Sequence, residues 1–234
     1  MRVAILGGNP NGRQSGAMCG RYSLTTAIDQ LLPRLQGELP PQLAEHYAPR
    51  PLIRPGEPLL IQRQQQGRPE VAFALWGLLP AWVKDPSDPR TPAHRPVHRP
   101  INARAETVAE KASFRGPWRH HRCLIPADAF FEKGQRIARR DGSPFWLGGL
   151  WERWLGADGS QLDTCCILTT RPNALIAPIH ERMPVLIPAG LEAAWLAPVH
   201  GAELRALEPL MEPWDPAGWQ LEPVDRQQLS LELP

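Results

Sequence analysis

Residues 59–63, Leu-Leu-Ile-Gln-Arg, and residues 71–76, Val-Ala-Phe-Ala-Leu-Trp, flank the polar stretch Gln-Gln-Gln-Gly-Arg-Pro-Glu at 64–70. Two apolar, β-branched and aromatic runs separated by a Gly-containing polar turn read as a pair of antiparallel strands. Working outward, residues 122–126, 145–151, 165–170 and 184–188 are further strand candidates. Short helices are predicted over 26–32, stopped by Pro33, and over 191–196 and 202–207. A helix over 103–114 would place Ala105, Val108 and Ala112 on one face. The proline-rich stretch 38–58 and the Pro/Arg/His stretch 85–100 read as loops.

Composition agrees with short elements. The 234 residues include 28 Pro and 19 Gly, about one residue in five. Proline breaks helices and inner strands, so long bundles, coiled coils and regular repeats are excluded. The 42% hydrophobic content supplies a core. Strands with few short helices give an α+β expectation: a single domain with a curved, mainly antiparallel sheet or distorted β-barrel and short flanking helices.

No apolar run approaches the roughly 20 residues that span a bilayer, and the short Val3–Leu6 patch is too brief for a secretory core. The four cysteines (Cys19, Cys123, Cys165, Cys166) lack CxxC spacing, which points to a reducing, cytoplasmic setting. In a strand, Cys165 and Cys166 would point to opposite faces. His94 and His98 are four apart, but the prolines between and beside them forbid the helix a metal pair would need, so no metal or cofactor is expected. Net charge is +2, with 23 Arg and 3 Lys unevenly placed. Residues 90–122 hold eight Lys/Arg against two Glu, whereas 190–234 hold eight Asp/Glu against two Arg. Such a split suits either a polyanion-binding face or an ordinary solvated surface.

Four segments could carry chemistry. Met18-Cys19-Gly20-Arg21-Tyr22 would expose an N-terminal cysteine in a chain starting at Met18; a lone Cys is otherwise a small buried hydrophobe. In Ile101-Asn102-Ala103-Arg104-Ala105-Glu106-Thr107, Asn102 is either a site residue or a helix cap. Within residues 122–132, Glu132 follows Phe130-Phe131, and apolar surroundings suit a carboxyl for acid–base work; the alternative is an exposed strand end. Thr169-Thr170 and then Ile179-His180-Glu181-Arg182-Met183-Pro184 place a His in a loop entering a strand, for acid–base work or for structure.

Taken in order, these motifs, together with Leu75–Trp82 (LWGLLPAW), resemble the SRAP (SOS response-associated peptidase) family, from Met18 to about Asp225. The resemblance implies an SRAP domain over 18–234 and a 17-residue N-terminal extension, disordered or absent from the mature protein. It implies abasic-site processing. Cys19, freed at its amine by removal of Met18, would crosslink to the ring-opened sugar of an abasic site in single-stranded DNA as a thiazolidine and so protect the lesion. It further implies that Glu132 and His180 move protons and that Asn102 orients Cys19. Arg21 and Arg104 would bind phosphate, Trp82 would stack on a base, and Thr169 would contact the lesion or its phosphate. The expected partner is single-stranded DNA with abasic sites, met by a monomer in the cytoplasm at the nucleoid and away from membrane. Peptidase, hydrolase and lyase labels come with the family.

The sequence departs from the family pattern in places. Lys133 stands where the family has Trp, Pro51-Leu52 where it has Tyr-Asn, and Glu181 where Asp is commoner; the 85–100 loop is longer than usual. Two other functions fit the same residues. One is an N-terminal-nucleophile hydrolase, glutaminase or peptidase. The other is a non-catalytic single-strand DNA binder, should the extension be retained.

Overall fold

The computed structural model describes residues 20–37, 39–83 and 99–224. In chain order these form β1 (Tyr22–Leu24), α1 (Ile28–Leu31), a 3-10 turn (Leu32–Arg34), α2 (Pro41–His46), β2 (Arg50–Ile53), β3 (Pro58–Gln65) and β4 (Arg68–Trp76). There follow β5 (Asn102–Arg104), a 3-10 turn (Ala105–Thr107), α3 (Arg115–His120), β6 (Arg122–Ala127), β7 (Ala129–Glu132), β8 (Gln135–Arg139), β9 (Phe145–Leu155) and β10 (Gln161–Thr170). The chain ends with β11 (Met183–Pro184), β12 (Leu186–Ile187), α4 (Glu192–Leu196), a 3-10 helix (Gly201–Met211) and β13 (Trp219–Pro223). The extension, Cys19 and the stretch 84–98, with His94 and His98, lie outside the described residues.

The 59–76 hairpin forms, and its strands run longer than expected, down to the two-residue turn Gln66-Gly67. Around it, β3 pairs with β6, β6 with β9, and β9 with β10, all antiparallel. The ring closes where β10 meets β4 in parallel, Thr164 opposite Leu75 and Cys165 opposite Trp76. Five strands therefore make a barrel with one parallel seam. A second sheet, β13-β8-β7-β1-β2, carries the N-terminal strand in its interior. The mixed α+β expectation with a distorted barrel holds.

Period-two alternation divides the core. Cys123, Ile125, Cys165 and Ile167 face one cluster, which includes Tyr22, Phe130 and Ile137 of the second sheet. Leu124, Cys166 and Leu168 face the other, covered by Trp118 of α3 and Trp195 of α4. Cys165 and Cys166 thus point to opposite faces, both fully buried, and burial pushes both thiols up. At Gly149 the walls approach so closely that a Cβ would lie 2.9 Å from both Cys123 Sγ and Ile125 Cδ1.

Two arginines are taken inside. Arg63, 1% exposed, donates to Glu70 and Asp163, and its guanidinium lies 4.0 Å from the Trp151 ring centroid. Arg122 donates to the carbonyls of Trp118, Arg119, Trp195 and Ala197. It ties the C-terminal ends of α3 and α4 to β6, where a cation also meets the negative end of each helix dipole.

Several local expectations are corrected. Residues 103–114 are not a helix: Asn102–Arg104 is a strand pairing in parallel with β10, followed by a 3-10 turn. Hence Asn102 is no helix cap. Of the three residues whose spacing suggested a helical face, Ala105 lies in the 3-10 turn and Val108 just after it, both packed with Trp118 and Leu168, whereas Ala112 is exposed. The 38–58 stretch is not all loop. Pro41 sits in the first turn of α2, where its missing N–H costs nothing, and Pro51 sits on β2, an edge strand. The predicted 184–188 strand is split at Val185, whose N–H and C=O bond to Leu168 and Gly148. The helix at 202–207 is a longer 3-10 helix.

Lys133 and Gly134 both have positive φ, 44° and 77°, and form the two-residue turn between β7 and β8. A turn of that hand favours Asn-Gly, and lysine is strained there. Lys133→Asn is therefore expected to raise stability by about 0.5–1 kcal/mol, read as a Tm increase of a few degrees. A fall in Tm would show that the lysine side chain itself stabilises the turn.

Candidate active site

The first half of the site is set by strand register. Tyr22 lies opposite Phe130 and Ser23 opposite Ala129. The Phe131 N–H donates to the Arg21 carbonyl at 3.0 Å, so the same register carries Gly20 alongside Glu132. The chain leading to Cys19 thus enters beside the Glu132 end of β7, although Cys19 itself is outside the described residues. Glu132 is half-buried at the strand end, next to buried Phe131. Asp128 fixes the other end of β1. Its carboxylate accepts from the backbone N–H and hydroxyl of both Thr25 and Thr26.

The second half is organised on β10. Asn102 pairs with Ile167, Ala103 with Leu168 and Arg104 with Thr169. On its other edge β10 pairs with β11, Thr169 opposite Pro184 and Thr170 opposite Met183. His180 stands three residues before Met183, so β10 brings the Asn102 segment and the His180 segment to one end of the barrel. The loop between β10 and β11 is built on buried Asn173. Its Oδ1 accepts from the N–H of Leu175 and Ile176, and its Nδ2 donates to the Trp214 carbonyl. The His180 N–H then closes onto the Ile176 carbonyl at 2.9 Å.

Aromatic rings join the two halves. Tyr22 packs edge-on against Trp76 at 5.5 Å, and Trp76 Nε1 donates to the Ile101 carbonyl at 2.9 Å, next to Asn102. Burial pushes the Tyr22 phenol well above its ordinary value, so it serves as a wall and not as a base.

The other expected site residues divide by exposure. Trp82 is 67% exposed, a large apolar ring in solvent. Its segment is pinned: Trp154 Nε1 donates to the Val83 carbonyl at 2.6 Å, and the Leu79 N–H to Thr164 Oγ1 at 2.9 Å. Arg104 is exposed and Arg21 half-buried. Thr169, expected to touch DNA, is only 3% exposed, and its hydroxyl lies 3.3 Å from both the Ala103 carbonyl and Arg182 Nη2. It is placed to support β5 and Arg182.

Residues to which sequence reasoning gave no role also belong here. Glu106 and Arg182 form a two-pronged ion pair, 2.6 and 2.8 Å, and Arg182 also donates to the Thr169 carbonyl at 2.6 Å. The Arg182 guanidinium holds the Glu106 carboxyl below its usual range. The signal was present: opposite charges in two motifs already singled out. Among the described residues no group of three or more His, Cys, Asp or Glu is placed to hold a metal ion. No described helix is long and apolar enough to cross a membrane.

The family model for SOS response associated peptidase (SRAP) matches residues 18–228. The chain belongs to the SRAP family. The match begins at Met18, one residue before Cys19. Abasic site processing protein YoqW of Bacillus subtilis is 35% identical over 208 residues, 85% of this chain and 88% of that protein. Abasic site processing protein HMCES of Rattus norvegicus is 26% identical over 147 residues, 48% of this chain and 40% of that protein. Among solved structures, a protein from Bacteroides thetaiotaomicron superposes with a TM-score of 0.77 at 27% identity, covering 91% of this chain and 94% of that one.

Proposed function

We propose that this SRAP protein processes abasic sites in single-stranded DNA by forming a covalent crosslink through Cys19. The observation that carries the reading is the register that leads the chain toward Cys19 beside Glu132. Support comes from the 35% identical relative named as an abasic site processing protein.

The chemistry needs both nucleophiles on one residue. The neutral α-amine of Cys19 attacks the C1′ aldehyde of the ring-opened deoxyribose, and the resulting carbinolamine loses water to give a Schiff base. The thiolate then adds to the imine carbon, and the ring nitrogen takes up a proton. One C–N and one C–S bond form, one water leaves, and the product is a thiazolidine. An internal cysteine has an amide nitrogen and cannot begin this sequence, so the active chain starts at Cys19, without Met18 or the residues before it. A free α-amine titrates near 8, leaving a useful neutral fraction at pH 7. The second attack is intramolecular and gains a high effective concentration.

Glu132 takes the thiol proton and returns it to the ring nitrogen. His180 assists sugar opening and dehydration. Asn102 orients the cysteine through its amide. Arg21 and Arg104 meet phosphates, for which guanidinium forks are suited. Trp82 stacks on a base beside the lesion. Thr169 acts from beneath, by supporting Ala103 and Arg182. The peptidase label fits removal of the segment ahead of Cys19.

The test is a chain beginning at Cys19, its terminus verified by mass spectrometry, incubated with single-stranded DNA carrying one abasic site. A heat-stable adduct is expected, and none with intact DNA. Absence of adduct from verified free-amine protein would overturn the reading. Non-covalent binding would then leave a single-strand binder, and ammonia release from glutamine would indicate a glutaminase.

A further inference from the structure

We infer that Glu106 is a positioning residue for His180. The inference rests on the reading of His180 as a proton-transfer group. It starts from a hydrogen bond made by main chain: the Arg182 N–H donates to His180 Nδ1 at 3.0 Å. A ring nitrogen that accepts a hydrogen bond carries no proton, so the neutral imidazole bears its proton on Nε2. His180 is thereby held as one tautomer, with Nε2–H as its donor.

That bond depends on where the backbone of residue 182 sits, and the Arg182 side chain fixes this. Its guanidinium is anchored at two places. Glu106 grips it with both carboxylate oxygens, at 2.6 and 2.8 Å, and the Thr169 carbonyl accepts from Nη2 at 2.6 Å. Glu106 lies in the 3-10 turn directly after β5, the strand that carries Asn102. The carboxylate therefore links the segment bearing Asn102 to the segment bearing His180. It joins them across 76 residues of sequence. A two-pronged carboxylate–guanidinium pair fixes orientation as well as distance, which a lysine could not do.

Stability alone gives little reason for the pair. The Glu106 side chain is 48% exposed and that of Arg182 16%, so solvent still reaches the carboxylate and screens the pair, which keeps its contribution to folding small. Losing the carboxylate should leave the fold intact and release the loop locally. His180 would then sample both tautomers, and only one of them presents Nε2–H.

The direct test is nitrogen NMR of His180 in a chain beginning at Cys19, with wild type compared to Glu106→Ala and Glu106→Asp. Wild type should show a protonated Nε2 and a bare Nδ1. Glu106→Ala should show the two nitrogens moving toward averaged positions, with Tm nearly unchanged. Crosslinking to an abasic single strand should slow about tenfold, and Glu106→Asp should recover part of both signals. A locked tautomer in Glu106→Ala would overturn the inference, as would a rate loss that tracks a fall in Tm. If wild type forms no adduct, the proposed function fails while the tautomer measurement still decides the role of Glu106.

Discussion

Arg122→Met is expected to cost about 3–5 kcal/mol of folding stability, among the larger losses a single substitution causes. Arg122 is 4% exposed, and burial lowers its guanidinium to about 10, which still leaves it charged at neutral pH. Four carbonyls, from Trp118, Arg119, Trp195 and Ala197, accept its hydrogens. Methionine fills much of the volume but donates nothing, so buried carbonyls at the ends of α3 and α4 lose their partner, each at a cost of about 1–3 kcal/mol. Relaxation of the short helices recovers part of this. The tryptophans Trp118 and Trp195, whose ring centroids are 5.7 Å apart, should report the loosening in near-ultraviolet circular dichroism. Arg122→Lys should fall between, because one ammonium cannot reach four carbonyls spread around a planar fork. Urea unfolding checks the ordering. A loss below about 1 kcal/mol for methionine would mean that α3 and α4 hold their ends without the cation.

Glu132→Gln is expected to slow crosslinking by about 100-fold or more, the scale of a lost general base. Glutamine keeps the size and hydrogen-bonding reach of glutamate but cannot take a proton. In a chain beginning at Cys19, single-turnover adduct formation should fall while non-covalent affinity for an intact single strand stays within about twofold of wild type. Residual activity should climb more steeply with pH, because the thiol, near 8.5 when unassisted, must then ionise by itself. The strand end that carries Glu132 is fixed by backbone pairing to β1, so the substitution should leave the fold unchanged. An unchanged rate would remove Glu132 from the mechanism and move the proton transfer to another group.

Local pattern reached some of this architecture and missed the rest for physical reasons. The β3–β4 hairpin was legible because two apolar runs flank a short polar turn that contains Gly67. The strands β6, β9 and β10 were legible in part because their buried residues are apolar on both faces. The seam between β4 and β10 was not, since it joins Leu75 to Thr164 with no local signal. The segment 103–114 read as a helix because Ala105 and Val108, three residues apart, pack on one apolar cluster, although Ala112, the third residue of that spacing, is exposed. Asn102, Glu132 and His180 were reached through motif resemblance, and the structure adds what holds them: the register at Phe131, the pairing along β10 and the Asn173 turn. Glu106 escaped notice because opposite charges in two separate motifs, Glu106 and Arg182, do not by themselves say that the two meet; that contact joins distant segments.

The parallel seam of the barrel has a consequence for how the chain is made. During synthesis the hairpin emerges early, but the partner for the free edge of β4 begins only at Gln161. For more than eighty residues that edge offers unpaired N–H and C=O groups to any other strand. Exposed edges of this kind invite intermolecular pairing, and distant closures fold slowly. Yield in a producing cell should therefore depend on translation speed and chaperone supply more than on the stability of the finished barrel. Truncations ending before β10 should precipitate, while the full chain stays in solution.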